Sequence, residues 1–91
     1  MQPTELVSVN PERDERLIYQ IVKTDAVCLR EEGMEEVYSI LVLRADGEVI
    51  VESDIVYDVS RRMEACYDLM RKFYAENVLP SRARDEAERM L

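Results

Sequence analysis

The sequence predicts an α+β fold: a three- or four-stranded antiparallel meander followed by two C-terminal helices packed on one sheet face. Two observations carry this prediction. The turn sequence Ala45-Asp46-Gly47-Glu48 separates two apolar runs, 37–43 and 49–51, as in a β-hairpin. From Ser60 onward, apolar residues recur at steps of three and four, as in an amphipathic helix. Because the strands come first and the helices follow, an antiparallel sheet is favoured over a parallel one.

The N-terminal residues 1–15 are expected to form a partly ordered leader, because Pro3, Pro11 and a cluster of charged residues interrupt this segment. At most one short strand is expected within it, at residues 6–9. Residues 16–91 are then expected to form a single domain. With 91 residues in all, the chain is long enough for one modest hydrophobic core.

The first long strand is expected at about residues 17–29, where β-branched and aromatic side chains are frequent. Thr24-Asp25 interrupts this pattern, so the segment is interpreted as one strand with a bulge or as two short strands. Glu31-Glu32-Gly33 predicts the next turn. The two further strands are expected at about residues 36–44 and 48–56.

The hairpin sequence also predicts a register. A type I′ turn with Asp46-Gly47 at its centre would place Leu43 opposite Ile50. It would also pair Val42 with Val51, Ile40 with Ser53, and Tyr38 with Ile55. One face would then carry Tyr38, Ile40, Val42, Val49, Val51 and Ile55, and this face is expected to seat the helices. The other face would carry Val37, Leu41, Leu43 and Ile50, with Ser39, Glu52 and Asp54 among them.

That second face is too apolar near the turn to be left in water. Its four apolar residues are therefore the candidate interaction residues: Val37, Leu41, Leu43 and Ile50. The cover could be the N-terminal leader, a second subunit or a ligand.

The helices are expected at about residues 60–77 and 81–91. Ser60 or Asp58 can cap the first helix, and Ser81 can cap the second. Asn77 is expected to end the first helix, and Pro80 prevents its continuation. The apolar stripe of the first helix comprises Met63, Cys66, Tyr67, Met70, Phe73, Tyr74 and Asn77.

The residue types argue against most familiar enzyme classes. The chain has no histidine, which removes the triads and zinc sites that depend on it, and two cysteines cannot complete a structural zinc site. Neither glycine belongs to a phosphate-binding loop. The acidic residues Glu31, Glu32, Glu35 and Glu36 are typical of a solvated turn rather than a cation loop. We therefore expect no enzymatic activity and no catalytic residues, cofactor or metal site.

The charge distribution bears on partners and location. The chain has a net charge of −8, and all of the excess acid lies in residues 1–59, because residues 60–91 carry slightly more basic than acidic side chains. An acidic surface repels phosphate, so nucleic-acid binding is not expected. No apolar run approaches the roughly 20 residues that span a bilayer, and no secretion signal is visible, so a cytoplasmic protein is expected. Cys28 and Cys66 are then typical of buried apolar side chains in a reducing compartment, and the sequence leaves a disulfide between them open.

Several short segments in the C-terminal half resemble a family of short uncharacterised proteins from Firmicutes, classed as a domain of unknown function. The segments are Tyr38-Ser39-Ile40, Asp46-Gly47-Glu48, Asp58-Val59-Ser60, Asn77-Val78-Leu79-Pro80 and the acidic helix 85–91. Ser39 stands where that family usually has glycine. The resemblance implies a cytoplasmic bacterial protein, and it carries no catalytic residue across.

The leading functional hypothesis is a small, non-enzymatic interaction module that self-associates or binds an unidentified protein. Its contact surface would be the second sheet face or an exposed edge strand. The alternative is a small-molecule-binding or enzymatic domain with a pocket between sheet and helices, lined by Tyr38, Tyr57, Tyr67 and Met70. A third hypothesis is an acidic decoy for a nucleic-acid-binding protein, whose binding would vanish at moderate salt.

Overall fold

The structure is a computed structural model that describes residues 4–10, 12, 14–26 and 35–90. Four antiparallel strands form one sheet in the order β1-β2-β3-β4. Their bounds are Glu5–Asn10 (β1), Glu15–Ala26 (β2), Glu35–Asp46 (β3) and Val49–Ser60 (β4). Helix α1 spans Met63–Glu76, a 3₁₀ turn spans Pro80–Arg82, and helix α2 spans Ala83–Met90. The predicted α+β class and the meander followed by two helices are confirmed, with four strands rather than three.

Strand β1 lies in the segment expected as a leader. It pairs with β2 along its whole length, from Glu5 opposite Gln20 to Asn10 opposite Glu15. The exposure of its side chains alternates, with Leu6 and Ser8 half-buried and Val7 and Val9 exposed, as in a strand that has one covered face. This segment therefore forms one edge of the sheet.

Strand β2 is continuous, which corrects the expected interruption at Thr24-Asp25. Its pairing with β3 keeps one register from Glu15 opposite Asp46 to Ala26 opposite Glu35. Since every residue of β2 has a partner in β3, the ladder overrides the low strand propensity of Asp25. The expected continuation to residue 29 and the turn at Glu31-Glu32-Gly33 lie outside the described residues.

The predicted register of the β3–β4 hairpin is wrong. Gly47 and Glu48 are the central turn residues, and Asp46 pairs with Val49. Gly47 has φ 62° at the first central position, as a type II′ turn requires, and its N–H donates to the Asp14 carbonyl at 3.0 Å. That bond ties the two turns at this end of the sheet together.

Two irregularities in the hairpin then shift the register further. Past the first, Arg44 pairs with Glu52 and Leu41 with Ile55; past the second, Tyr38 pairs with Ser60. Each extra residue in a strand turns the following side chains to the opposite face. The prediction that Ile55 lies under the helices, with Glu52 and Asp54 on the other side, is therefore inverted.

Helix α1 begins three residues later than predicted, at Met63, and is capped at its end by the predicted residue, Asn77. Strand β4 continues to Ser60, and the Ser60 hydroxyl accepts a hydrogen bond from the Arg62 N–H at 3.0 Å rather than capping the helix. At the other end Asn77 adopts φ 51°, and the N–H groups of Asn77 and Val78 donate to the Tyr74 and Phe73 carbonyls. This pattern is a Schellman motif, in which a left-handed residue closes the helix. Ser81 lies inside the 3₁₀ turn, so it does not cap α2.

The core lies between one face of the sheet and the two helices. Tyr19 is fully buried there, and its hydroxyl donates to the Val78 carbonyl at 3.0 Å. Leu69 is buried although the predicted stripe omits it, whereas Tyr74 is largely exposed. The buried cluster comprises Leu17, Tyr19, Ile40, Val42, Leu69, Met70, Phe73, Val78, Ala83 and Ala87.

Candidate functional site

The side of the sheet that faces away from the helices is the candidate functional site, and we call it the open face. Directly paired residues of adjacent strands share a face. Tyr19 and Val42 are paired and lie in the helix-side core, so their strand neighbours Ile18, Leu41 and Leu43 point the other way. The register adds Val7 beside Ile18, and Ile55 beside Leu41. Together these five apolar residues form the open patch: Val7, Ile18, Leu41, Leu43 and Ile55.

The structure places the four predicted contact residues on the open face with unequal exposure. Leu41 and Leu43 are half-buried at the centre of the sheet, and Ile50 near the turn is 50% exposed. Val37 is only 7% exposed, so it offers little surface to a partner. The pairing of Leu43 with Ser53, not with Ile50, separates two residues that the predicted register had joined.

Sequence reasoning missed three members of the open patch. Ile55 was assigned to the helix side because the bulges in the hairpin have no clear sequence signal. Val7 belongs to β1, which matches the one short strand expected at residues 6–9, but the sequence did not predict that this strand would join the sheet beside Ile18. Ile18 alternates with the core residues Leu17 and Tyr19, so the period of two in β2 could have identified it.

Polar and small residues bound the open patch. Toward the β3–β4 turn, Arg16 stands opposite Ala45, and its Nη2 donates to the Gly47 carbonyl at 2.9 Å. Ala45 is fully buried although the register places it on this face. Toward the opposite end Ser39, next to Leu41 on the same strand face, is also fully buried. At the β1 edge the Gln20 amide donates to the Glu5 carboxylate at 2.6 Å.

The edge strand β4 is protected on the helix side by its own acidic residues. The Asp54 carboxylate accepts a bond from the Ile55 N–H at 2.8 Å and pairs with Arg84 of α2 at 2.9 Å. The Glu52 carboxylate accepts a bond from the Ser81 N–H at 2.9 Å and lies 3.3 Å from Arg44. Such charged residues and helix contacts discourage the addition of another strand. The open face is therefore a better contact surface than this edge.

The four residues of the alternative pocket do not line a common opening. Met70 is fully buried in the core, so it offers no surface to a ligand, whereas Tyr57 is 63% exposed. Tyr67 packs partly against the core, and the Arg71 guanidinium lies 5.7 Å from its ring centroid. Met70 thus fills the space that these residues were expected to surround, and Tyr57 lines a separate opening of about 370 Å³ between β4 and α2.

A cleft of about 450 Å³ lies elsewhere, where β1 and β2 approach the residues after α1. Its polar side chains largely satisfy one another. The Ser8 hydroxyl donates to the Asn77 side-chain oxygen at 2.6 Å, the Asn10 side-chain oxygen accepts from the Glu12 N–H, and Glu15 lies 3.6 Å from Arg44. Leu17 and Leu79 supply its apolar wall. The volume suits a small ligand, but few polar groups remain to orient one.

Cys66 of α1 is a buried free thiol. Burial raises the pKa of the Cys66 thiol to about 11, while a hydrogen bond at the Ser60 backbone offsets part of that rise. A thiol held protonated in this way is a poor nucleophile. The described residues contain no group of three or more His, Cys, Asp or Glu side chains suited to hold a metal ion. No helix in this part of the chain has the length and apolar content needed to span a bilayer.

Comparisons with protein-family models, curated proteins and solved structures return no significant match for this chain. The resemblance to the Firmicutes family of unknown function therefore gains no support from them and stays a prediction.

Proposed function

We propose that this protein is a small non-enzymatic interaction module that binds a protein partner through the open patch. One observation carries the proposal: both helices pack on the same face of the sheet, and the other face presents a contiguous apolar cluster. A sheet that buries only one face normally carries polar residues on the other. Here that alternation fails at Ile18, Leu41 and Leu43, which lie side by side on adjacent strands.

The exposure of apolar residues on the open face supports the same conclusion. Val7 is 37% exposed, and Val9 and Ile50 are more exposed still. Single exposed apolar residues are ordinary, but a contiguous patch marks an interaction surface. The cytoplasmic location expected from the sequence remains part of this proposal.

The proposal is tested by photo-crosslinking in cells of the source organism. A benzophenone side chain is placed at position 41 or 43, at the centre of the open patch, and at position 72 as a control. Lys72 is exposed on α1, on the helix side of the molecule. We expect one discrete adduct from positions 41 and 43, with a partner identified by mass spectrometry, and none from position 72.

Two results would overturn this function. One is that positions 41 and 43 give no adduct while the protein is folded and abundant. The other is that position 72 gives the same adducts as the open patch, because contact would then be unrelated to this face.

A small-molecule-binding role is the second candidate, and the 450 Å³ cleft is the observation that favours it. Native mass spectrometry of the protein purified from its source would show a bound small molecule as added mass. Leu79→Trp would fill the cleft and should remove that mass. A purified protein with no added mass would leave this candidate without support.

A further inference from the structure

We infer that the partner of the open patch is a second copy of this chain, packed sheet against sheet about a two-fold axis. The inference rests on the proposed function and specifies its partner. It follows from the shape, charge and area of the open face.

The shape of the open face suits another sheet. The patch runs across four strands in successive rows, with Val7, Ile18 and Leu43 in one row and Leu41 and Ile55 in the next. Side chains of this kind interdigitate when two sheets pack about 10 Å apart. A second copy supplies a face of the same width and apolar content. Two-fold symmetric pairs are also the commonest form of protein self-association.

The charge on the open face favours a like partner over a basic one. Among the described side chains that the register places there, only Glu5 and Arg16 are ionic, and their charges cancel. The chain as a whole carries −8, so the acid lies elsewhere. A surface that had to recruit a basic protein would present the excess acid at the contact. Because the five residues of the open patch are all uncharged, two acidic copies can meet there without direct repulsion between contact residues.

The area of the open face sets the expected strength. The length of the shared face is set by β1, whose six residues extend about 20 Å, and its width is about 19 Å for four strands. Each copy therefore offers a face of roughly 400 Å² in projection. Protruding side chains expose more than this projection, so a pair would bury about 1,000 Å² in total. That value lies at the lower limit for specific association. We therefore expect a weak, reversible dimer rather than a permanent one.

The test is sedimentation velocity of the full chain from about 1 μM to about 1 mM, at low and high NaCl. We expect a monomer–dimer equilibrium that high salt leaves unchanged or strengthens, because screening reduces repulsion between two acidic chains. Leu43→Asp should weaken dimerisation at least tenfold. Tyr74→Asp is the matched control, since Tyr74 is an exposed apolar side chain on α1, on the helix side of the molecule. Far-UV circular dichroism confirms that each variant is folded.

The outcomes separate this inference from the proposed function. A chain that stays monomeric to 1 mM, while position 43 crosslinks to an unlike protein in cells, overturns the second copy and retains the interaction module. A monomer that also gives no crosslink overturns both. A dimer that a folded Leu43→Asp variant leaves intact, or that high salt dissociates, shows association elsewhere and also refutes the inference. If Leu43→Asp does not fold, two results obtained without that substitution replace it. A dimer that high salt leaves intact, together with a crosslink from position 43 to a second copy, supports the inference, and the absence of that crosslink refutes it.

Discussion

Removal of the Tyr19 hydroxyl tests how the sheet is joined to the segment after α1. Tyr19 is fully buried, and burial raises the pKa of its hydroxyl, so the group stays protonated and donates to the Val78 carbonyl at 3.0 Å. The ring also packs against Phe73, with 6.3 Å between centroids. Tyr19→Phe keeps the ring and deletes only the donor.

The expected loss of stability follows from the Val78 carbonyl, which is left without a hydrogen-bond donor. Val78 is 5% exposed, so its carbonyl oxygen would lose its partner in a site that water barely reaches. An unsatisfied buried acceptor costs about 1–3 kcal/mol, and a phenyl ring of nearly the same volume opens no large cavity. We expect the free energy of unfolding to fall by about 1–2 kcal/mol. For a domain of this size, that corresponds to a fall in Tm of about 5–12 °C.

The assay is urea unfolding followed by far-UV circular dichroism at a single protein concentration. Tyr57→Phe is the matched control, because Tyr57 is largely exposed and its hydroxyl should contribute less than about 0.5 kcal/mol. A Tyr19→Phe variant as stable as the wild type would show that the bond to Val78 contributes nothing. A loss as large as about 4 kcal/mol would show that the ring itself had moved.

Two further predictions concern the helix end and the buried thiol. In urea unfolding, Asn77→Ala should be about 1 kcal/mol less stable than Asn77→Gly. Both variants lack the side-chain amide, but only alanine is strained at φ 51°. Equal stabilities of the two variants would contradict the left-handed cap. Because the pKa of Cys66 rises from 9.0 to about 11 on folding, the folded state holds more protons between these values. Its stabilising contribution is complete below pH 9 and is lost as the pH rises toward 11. Urea unfolding between about pH 8 and about pH 10 should therefore show a steeper loss of stability for wild type than for Cys66→Ala, and identical slopes would contradict it.

The elements that depend on neighbours in sequence were predictable. The stripe of α1 arises from residues three and four apart, so Cys66, Met70 and Phe73 were identified as core. Asn77 was identified as the helix end because asparagine tolerates the left-handed conformation that a Schellman motif requires. The four predicted contact residues also lie on the open face, as the sequence predicted: Val37, Leu41, Leu43 and Ile50. Val37, however, is more buried than a contact residue should be.

The register of β4 could not be predicted in the same way. The turn sequence permits Gly47 at either of the two central positions. In the structure it occupies the first, where its N–H donates to the carbonyl of Asp14, a residue distant in sequence. The bulges that follow bring Glu52 and Asp54 toward Ser81 and Arg84, contacts with residues about thirty positions away. No local propensity encodes such contacts.

The sequence alone therefore determined the fold class, the hairpin, the core stripe of α1 and the apolar character of the second sheet face. Each of these depends on residues that lie close together along the chain. Only the tertiary structure decided that β1 completes the sheet, that Ile55 joins Leu41 on the open face, and that acidic residues of β4 contact α2 and the 3₁₀ turn. These features depend on strand register, and one extra residue in a bulge exchanges the two faces of everything that follows it.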